Sequence, residues 1–130
     1  NDMLESEKVA NIIHKHVLCD PGAAWVEVPE MLFANNALIA GRSFNTPLGV
    51  LAPGAAADIA VFDYNPLTPM TADNANGHIL FGVSGKSAVT TIIDGVVRMK
   101  DRELLGVDEE RIMAKCREHA GAMAERINSR

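Results

Sequence analysis

The pair His14 and His16 is the first candidate for chemistry, because hydrolases often hold a catalytic metal with His-x-His. That spacing works on a strand, where residues i and i+2 share a face. Here the apolar residues around the pair recur at helical spacing and predict a helix over about Met3–Leu18, opened by Asp2 and Glu5. On a helix, two residues two positions apart point about 200° apart. We therefore expect that the two imidazoles do not hold one ion.

The segment Gly82–Ser87 ends in Gly-Lys-Ser, as phosphate-binding loops do. The loop rule needs glycine at position 80, where the sequence has Leu80, and the following residues favour a strand. Without a helix behind it, the loop lacks the aligned amides and dipole that hold a phosphate. We interpret it as a connection between strands, and a nucleotide-binding domain is the weakest functional alternative.

The other residues capable of chemistry are isolated. His78 and His119 each stand alone in the sequence and are interpreted as structural or solvated residues. Asp58 and Asp63 bracket one predicted strand about 17 Å apart on opposite faces, so we interpret them as residues that end and cap it. The sequence thus predicts no catalytic, cofactor-binding or metal-binding residue in this chain.

The cysteines and the methionines near the C-terminus have structural interpretations. Cys19 and Cys116 are far apart in amphipathic runs and are predicted to be buried, reduced thiols, as in the cytoplasm. Met113 and Met123 belong to the apolar stripe of a C-terminal helix, where methionine ordinarily fills gaps in a core.

Composition excludes several classes of partner. The chain has 130 residues, 48% of them hydrophobic, with 12 basic and 17 acidic side chains and a net charge of −5. It has no basic cluster for binding nucleic acid and no apolar run of the roughly 18 residues that a membrane span needs. Its acidic first residues differ from a secretory leader. We expect a soluble, cytoplasmic protein of one globular domain or part of one.

Charge is distributed unevenly along the chain. Between Ser43 and Val97 the only charged residues are Asp58, Asp63, Asp73, Lys86 and Asp94. Strands this apolar must be buried under other parts of the protein. A chain of 130 residues is too short to bury them completely. The first residue is Asn rather than Met. Both observations predict a fragment of a longer protein.

The remaining elements follow from local patterns. A second helix is predicted from about Pro29 to Gly41, and strands over Ala57–Asp63, His78–Val83 and Ala88–Ile93, the first buried on both sides. The dipeptide Asp94-Gly95 predicts a tight antiparallel hairpin. A final helix follows Asp108 as its N-cap, with an apolar stripe of Ile112, Met113, Cys116, Ala120, Met123 and Ile127.

One segment resembles a known signature. Leu48–Ile59 is similar to the Gly-x-Leu-x-Pro-Gly-x-x-Ala-Asp-aliphatic motif near the end of amidohydrolase-superfamily enzymes, and Ala60–Asp63 fits their next strand. Ile93–Val97 resembles their closing sandwich strands. Asn1–Ser6 resembles the stretch just after their last metal-binding aspartate. The resemblance covers Asn1 to about Leu105.

Within the superfamily the chain looks most similar to the deaminase and chlorohydrolase branch, and to aminohydrolases of the SsnA type. The segments Asp63–Pro66 and Ile79–Lys86 carry this finer resemblance. Ala52 stands where the family usually has an acidic residue, and Ala55-Ala56 where it has a basic pair. Neither position does chemistry in the family.

The resemblance implies an α+β fragment: terminal helices of a (β/α)8 barrel, antiparallel β-sandwich strands and a C-terminal helix. Residues 1–42 would be the last helical part of the barrel, 43–105 the sandwich strands, and 106–130 the C-terminal amphipathic helix. The family's metal ligands lie upstream of the position of Asn1, so none carries over to a residue here.

The function that the resemblance implies is that of a metal-dependent hydrolase acting on C–N or C–Cl bonds of a small, heterocyclic substrate. A divalent metal, zinc or iron, would activate water in the parent enzyme, and this chain alone would be inactive. Its expected partners are the remainder of its own chain, the substrate and further copies in a homo-oligomer. The alternative is a free-standing α+β binding module whose apolar sheet docks a partner.

Overall fold

The computed structural model describes residues 2–129 as an α+β arrangement, which confirms the fold class at that level. The helices are α1 (Met3–Leu18), α2 (Glu27–Glu30), α3 (Asn36–Ala40), α4 (Ala75–Phe81) and α5 (Glu109–Asn128), with a π-helical segment at Met31–Asn35 and a 3-10 turn at Gly85–Ser87. The strands are β1 (Ile59–Phe62), β2 (Ala88–Ile93), β3 (Val96–Lys100) and β4 (Glu103–Leu104).

Helix α1 has the predicted bounds. Asp2 is its N-cap, and Cys19 ends it in the left-handed conformation with φ of 51°. The side that faces the rest of the described chain is polar, because Glu7 and Asn11 are buried there. The opposite side of α1 carries apolar side chains that are half exposed or more, namely Val9, Ile12, Ile13 and Val17. The helix therefore presents its apolar face outward.

The buried core of the described chain is small. Leu80 on α4 is fully buried and packs with Val28 on α2 and with Ala24 just before it. Ala10 on α1 packs against this cluster. The core therefore joins three helices and leaves the sheet outside it.

The second predicted helix is confirmed but is not uniform. It runs through α2, the π-helical segment and α3 and stops at Gly41. Pro29 is the third residue of α2, where a backbone N–H would have no partner within the helix, so proline is tolerated. The π-helical turn shifts the helical phase between α2 and α3.

The four strands form one antiparallel sheet in the order β1-β2-β3-β4. The predicted hairpin joins β2 to β3, with Asp94 and Gly95 at φ of 49° and 74°. A second two-residue turn at Asp101-Arg102 leads into β4, which the sequence did not predict. The prediction that the first strand is buried on both sides is wrong for the described residues, because Val61 on β1 is 45% exposed.

The prediction of a strand over His78–Val83 is also wrong. These residues belong mostly to α4, which begins after Asn74. A helical turn is favoured because it inserts Leu80 into the cluster with Ala24 and Val28.

Helix α5 follows its predicted cap. The Asp108 carboxylate accepts a hydrogen bond from the Arg111 backbone N–H at 2.9 Å. Every residue of this helix is exposed, so Met113 and Met123 do not pack in a core of the described residues, contrary to the interpretation of the sequence. Among residues 2–129, no helix is both long and apolar enough to cross a membrane.

Candidate functional site

The two histidines of His-x-His lie on α1, as predicted, and both are exposed. Among residues 2–129, no three His, Cys, Asp or Glu side chains lie together so that they could hold a metal ion. His14 lines an open cleft of about 560 Å³ beside Leu18, Asp20 and Glu27. This part of the chain does not fit a divalent metal.

The Gly82–Ser87 segment leads into β2 and not into a helix, as interpreted, but it connects helix α4 to β2 and not two strands. The Ser87 hydroxyl donates to the Ser84 carbonyl at 2.6 Å and tightens the turn. The Gly85 backbone N–H donates to a carboxylate oxygen of Asp2 at 2.8 Å. The Asp2 carboxylate therefore already accepts from this amide, and its negative charge would repel a phosphate.

Asp2 is the best-connected carboxylate in the described chain. One oxygen accepts from the Leu4 and Glu5 backbone N–H groups at 3.0 and 3.3 Å, and the other from Gly85. The Gly85 hydrogen bond is the largest cause that lowers the pKa of Asp2. Asp2 thus fastens the start of α1 to the 3-10 turn 83 residues later. The sequence predicted the cap, but no motif marks the link to Gly85.

His78 takes part in a structural contact. The Tyr64 hydroxyl and His78 Nδ1 are 2.7 Å apart, and Thr68 Oγ1 lies 3.5 Å from Nε2. Gly82 lies against this pair and leaves room for the Tyr64 hydroxyl. His78 therefore fixes the loop after β1 against α4, which agrees with its structural interpretation.

The aspartates that bracket β1 do not meet. Asp58 Oδ1 accepts from the Asp94 backbone N–H at 2.7 Å and holds the hairpin turn. Asp63 accepts from the Arg102 guanidinium at 3.3 Å across exposed surface. They act as strand-end residues, as the sequence indicated.

The cysteines are not buried in the described chain. Cys19 and Cys116 are both free and exposed, so the prediction of buried thiols is wrong here. Both lie on helix surfaces whose apolar residues are also exposed, namely the C-terminal end of α1 and the stripe of α5. His119 is exposed on α5 as well.

The described residues form an open apolar groove. It has a volume of about 970 Å³ and lies between the helix from the π-helical segment to α3 and the loop that follows it. Phe33, Leu38 and Phe44 are among its walls. The described residues that line it do not include a nucleophile paired with a general base. The groove is therefore suited to packing against an apolar surface and not to catalysis.

The chain is a homologue of amidohydrolase-superfamily deaminases, and the predicted resemblance to that superfamily is confirmed. It is 29% identical over 131 residues to a 5'-deoxyadenosine deaminase of Methanosarcina mazei, with 98% of this chain aligned. It is 36% identical over 104 residues to a 5-methylthioadenosine/S-adenosylhomocysteine deaminase of Thermococcus onnurineus, with 79% aligned. A deaminase of the same name from Pelotomaculum thermopropionicum is 32% identical over 126 residues, with 96% aligned.

The chain spans only 24 to 29% of the length of these relatives. No family model matches it. The similarity supports the deaminase branch, while the SsnA-type subgroup and chlorohydrolase activity stay predictions.

Proposed function

We propose that this chain is a structural part of a deaminase that acts on an adenine nucleoside carrying a modified 5' position. Its similarity to 5'-deoxyadenosine and 5-methylthioadenosine/S-adenosylhomocysteine deaminases carries the proposal. The three substrate names share an adenosine whose 5' hydroxyl is absent or replaced. That shared group is the proposed substrate class.

In the proposed reaction, water adds its oxygen to the ring carbon that bears the amino group. The carbon–nitrogen bond breaks, and ammonia leaves with the protons that balance the new carbonyl. Deaminases of this superfamily generally use a divalent metal, which supplies activation of water when it is bound. The described residues do not fit that metal, so we assign none of them to a chemical step.

The proposed role of this chain is to pack against the catalytic part of the whole enzyme. The outward apolar face of α1 supports this role, because Ile13 is 53% and Val17 69% exposed. Helices of a (β/α)8 barrel cover the strands with such a face. Residues 1–42 are accordingly proposed as barrel helices, 43–105 as sandwich strands and 106–130 as a terminal helix.

The apolar stripe of α5 is the proposed contact with either the enzyme body or another copy in a homo-oligomer. A cytoplasmic location is part of the proposal, supported by the free cysteines Cys19 and Cys116.

A substrate panel tests the proposal on the full-length protein. We expect ammonia release from 5'-deoxyadenosine, 5-methylthioadenosine or S-adenosylhomocysteine, with the adenine converted to hypoxanthine. The matched controls are a 5'-phosphorylated adenosine, which has the same ring but a charged 5' group, and a chlorinated heterocycle. Release of chloride from the chlorinated heterocycle, without ammonia from any of the nucleosides, would favour the chlorohydrolase alternative, and no turnover of any compound would favour a binding module.

A further inference from the structure

Helix α1 buries two polar side chains on one face. Glu7 is 5% exposed and Asn11 is fully buried. They are four residues apart, so their Cβ atoms lie about 5–6 Å from each other and the two side-chain ends can meet. The Asn11 amide group donates to the Ala24 carbonyl at 2.6 Å, which fixes the direction of the side chain.

Three acceptor oxygens in this patch have no hydrogen-bond partner among the described residues: both carboxylate oxygens of Glu7 and Oδ1 of Asn11. A buried polar oxygen without a donor costs about 1–3 kcal/mol, and more when it is charged. Two side chains that both present acceptors would also repel each other. Among residues 2–129, no donor forms a hydrogen bond with any of these three oxygens.

No charged side chain of the described chain supplies that donor. On α1, Lys8 pairs with Glu5 at 2.9 Å, and Lys15 donates to the carbonyls of Pro21 and Ala23. The titratable groups on the elements that pack against α1 are Glu27 and Glu30 on α2, His78 on α4 and Lys86 in the 3-10 turn. None of them hydrogen-bonds to Glu7, and His78 is engaged with Tyr64.

We propose that Glu7 is protonated in the folded protein and that its carboxylic O–H donates a hydrogen bond to Oδ1 of Asn11. One proton then removes the charge and gives Asn11 its missing partner. The chain of contacts runs from Glu7 through Asn11 to Ala24, and it joins α1 to the segment before α2. Burial raises the pKa of Glu7, which acts in the same direction.

An outside donor is a poorer explanation. Both side chains are already buried by this chain's own residues, so a cation from another segment would have to open the packing around α1 to reach them. A proton needs no such opening. A bridging water or an outside cation would leave Glu7 ionised, and the experiment distinguishes these cases.

The test compares Glu7→Gln with wild type in the full-length protein. The glutamine amide reproduces the shape and the donor of a neutral acid. A group with a raised pKa stabilises the fold most below its unfolded value, and the benefit is lost as pH rises through the folded value. We therefore expect equal melting temperatures near pH 4, and an advantage for Glu7→Gln of about 2–4 °C by pH 8.

Glu30→Gln, which changes an exposed acid on α2, is the control and should show no such divergence. Infrared difference spectra supply a second readout. We expect a protonated carboxyl band in wild type near pH 6 that Glu7→Gln lacks and Glu30→Gln keeps. Absence of that band, or a Glu7→Gln protein that is less stable than wild type or fails to fold at neutral pH, would overturn the proposal.

Discussion

The carboxylate of Asp2 accepts a hydrogen bond from the backbone N–H of Gly85 at 2.8 Å, across 83 residues of sequence. The same side chain caps α1 through Leu4 and Glu5. One residue therefore fixes both the start of the first helix and the turn that precedes β2.

Substituting Asp2 should loosen both ends of this link. We expect Asp2→Ala to lower the melting temperature of the full-length protein more than Asp2→Asn, because asparagine still caps a helix. The pKa of Asp2 is lowered in the fold, so its contribution is present above the ordinary carboxyl value and is lost as the pH falls below about 4. Melting curves between pH 3 and 7 check both effects.

Gly85→Ala tests the same link from the other side. An added Cβ would lie 2.8 Å from Asp2 Oδ2, which is too close for an ordinary contact. We expect Gly85→Ala to remove most of the pH-dependent difference in melting temperature between the protein with Asp2 and the Asp2→Asn variant. Full retention of that difference in the Gly85→Ala background would contradict the link.

Gly82 is predicted to be intolerant of any side chain. A Cβ there would overlap the Tyr64 hydroxyl and lie 2.8 Å from the His78 carbonyl oxygen. We expect Gly82→Ala to lower the free energy of unfolding by about 1–3 kcal/mol. Denaturant titration measures this change.

Gly121→Ala is the matched control, since position 121 lies in α5 and an added Cβ would meet no atom of residues 2–129 within 4 Å, apart from its chain neighbours and its own helix backbone. Alanine there should stabilise by about 0.5–1 kcal/mol through helix propensity. Equal effects at the two glycines would show that Tyr64 and His78 do not constrain position 82.

The apolar face of α1 is predicted to be covered in the whole enzyme. Ile13 is 53% exposed in this chain. If other parts of the full-length protein bury it, Ile13→Ala should cost about 2–5 kcal/mol. Leu67→Ala, in a loop where the side chain is fully exposed, should change stability by less than about 0.5 kcal/mol. A similarly small effect at Ile13 would mean that this face stays in water.

Short sequence patterns were sufficient to predict several helices and turns. The bounds of α1 follow from Asp2 and the helical spacing behind it, the first hairpin from Asp94-Gly95, and the start of α5 from Asp108. In each case one or two adjacent residues set the backbone. Asp101-Arg102 forms a similar turn without a signal, because arginine rarely adopts the positive φ of 69° seen here.

Long-range contacts explain what the sequence did not predict. The apolar run around Leu80 suits a strand locally, but packing against Ala24 and Val28 selects a helix. The helical periodicity of α1 does not reveal that its polar face, with Glu7 and Asn11, is the one buried in this chain. No sequence motif marks the Asp2–Gly85 link, because its partners come from distant segments.

Ammonia release from 5'-deoxyadenosine by the full-length protein tests the deaminase proposal most directly. We expect one ammonia and one deaminated nucleoside for each substrate consumed, with activity lost on chelation and restored by zinc or iron. Full metal loading with no ammonia from this nucleoside, from 5-methylthioadenosine or from S-adenosylhomocysteine would contradict it.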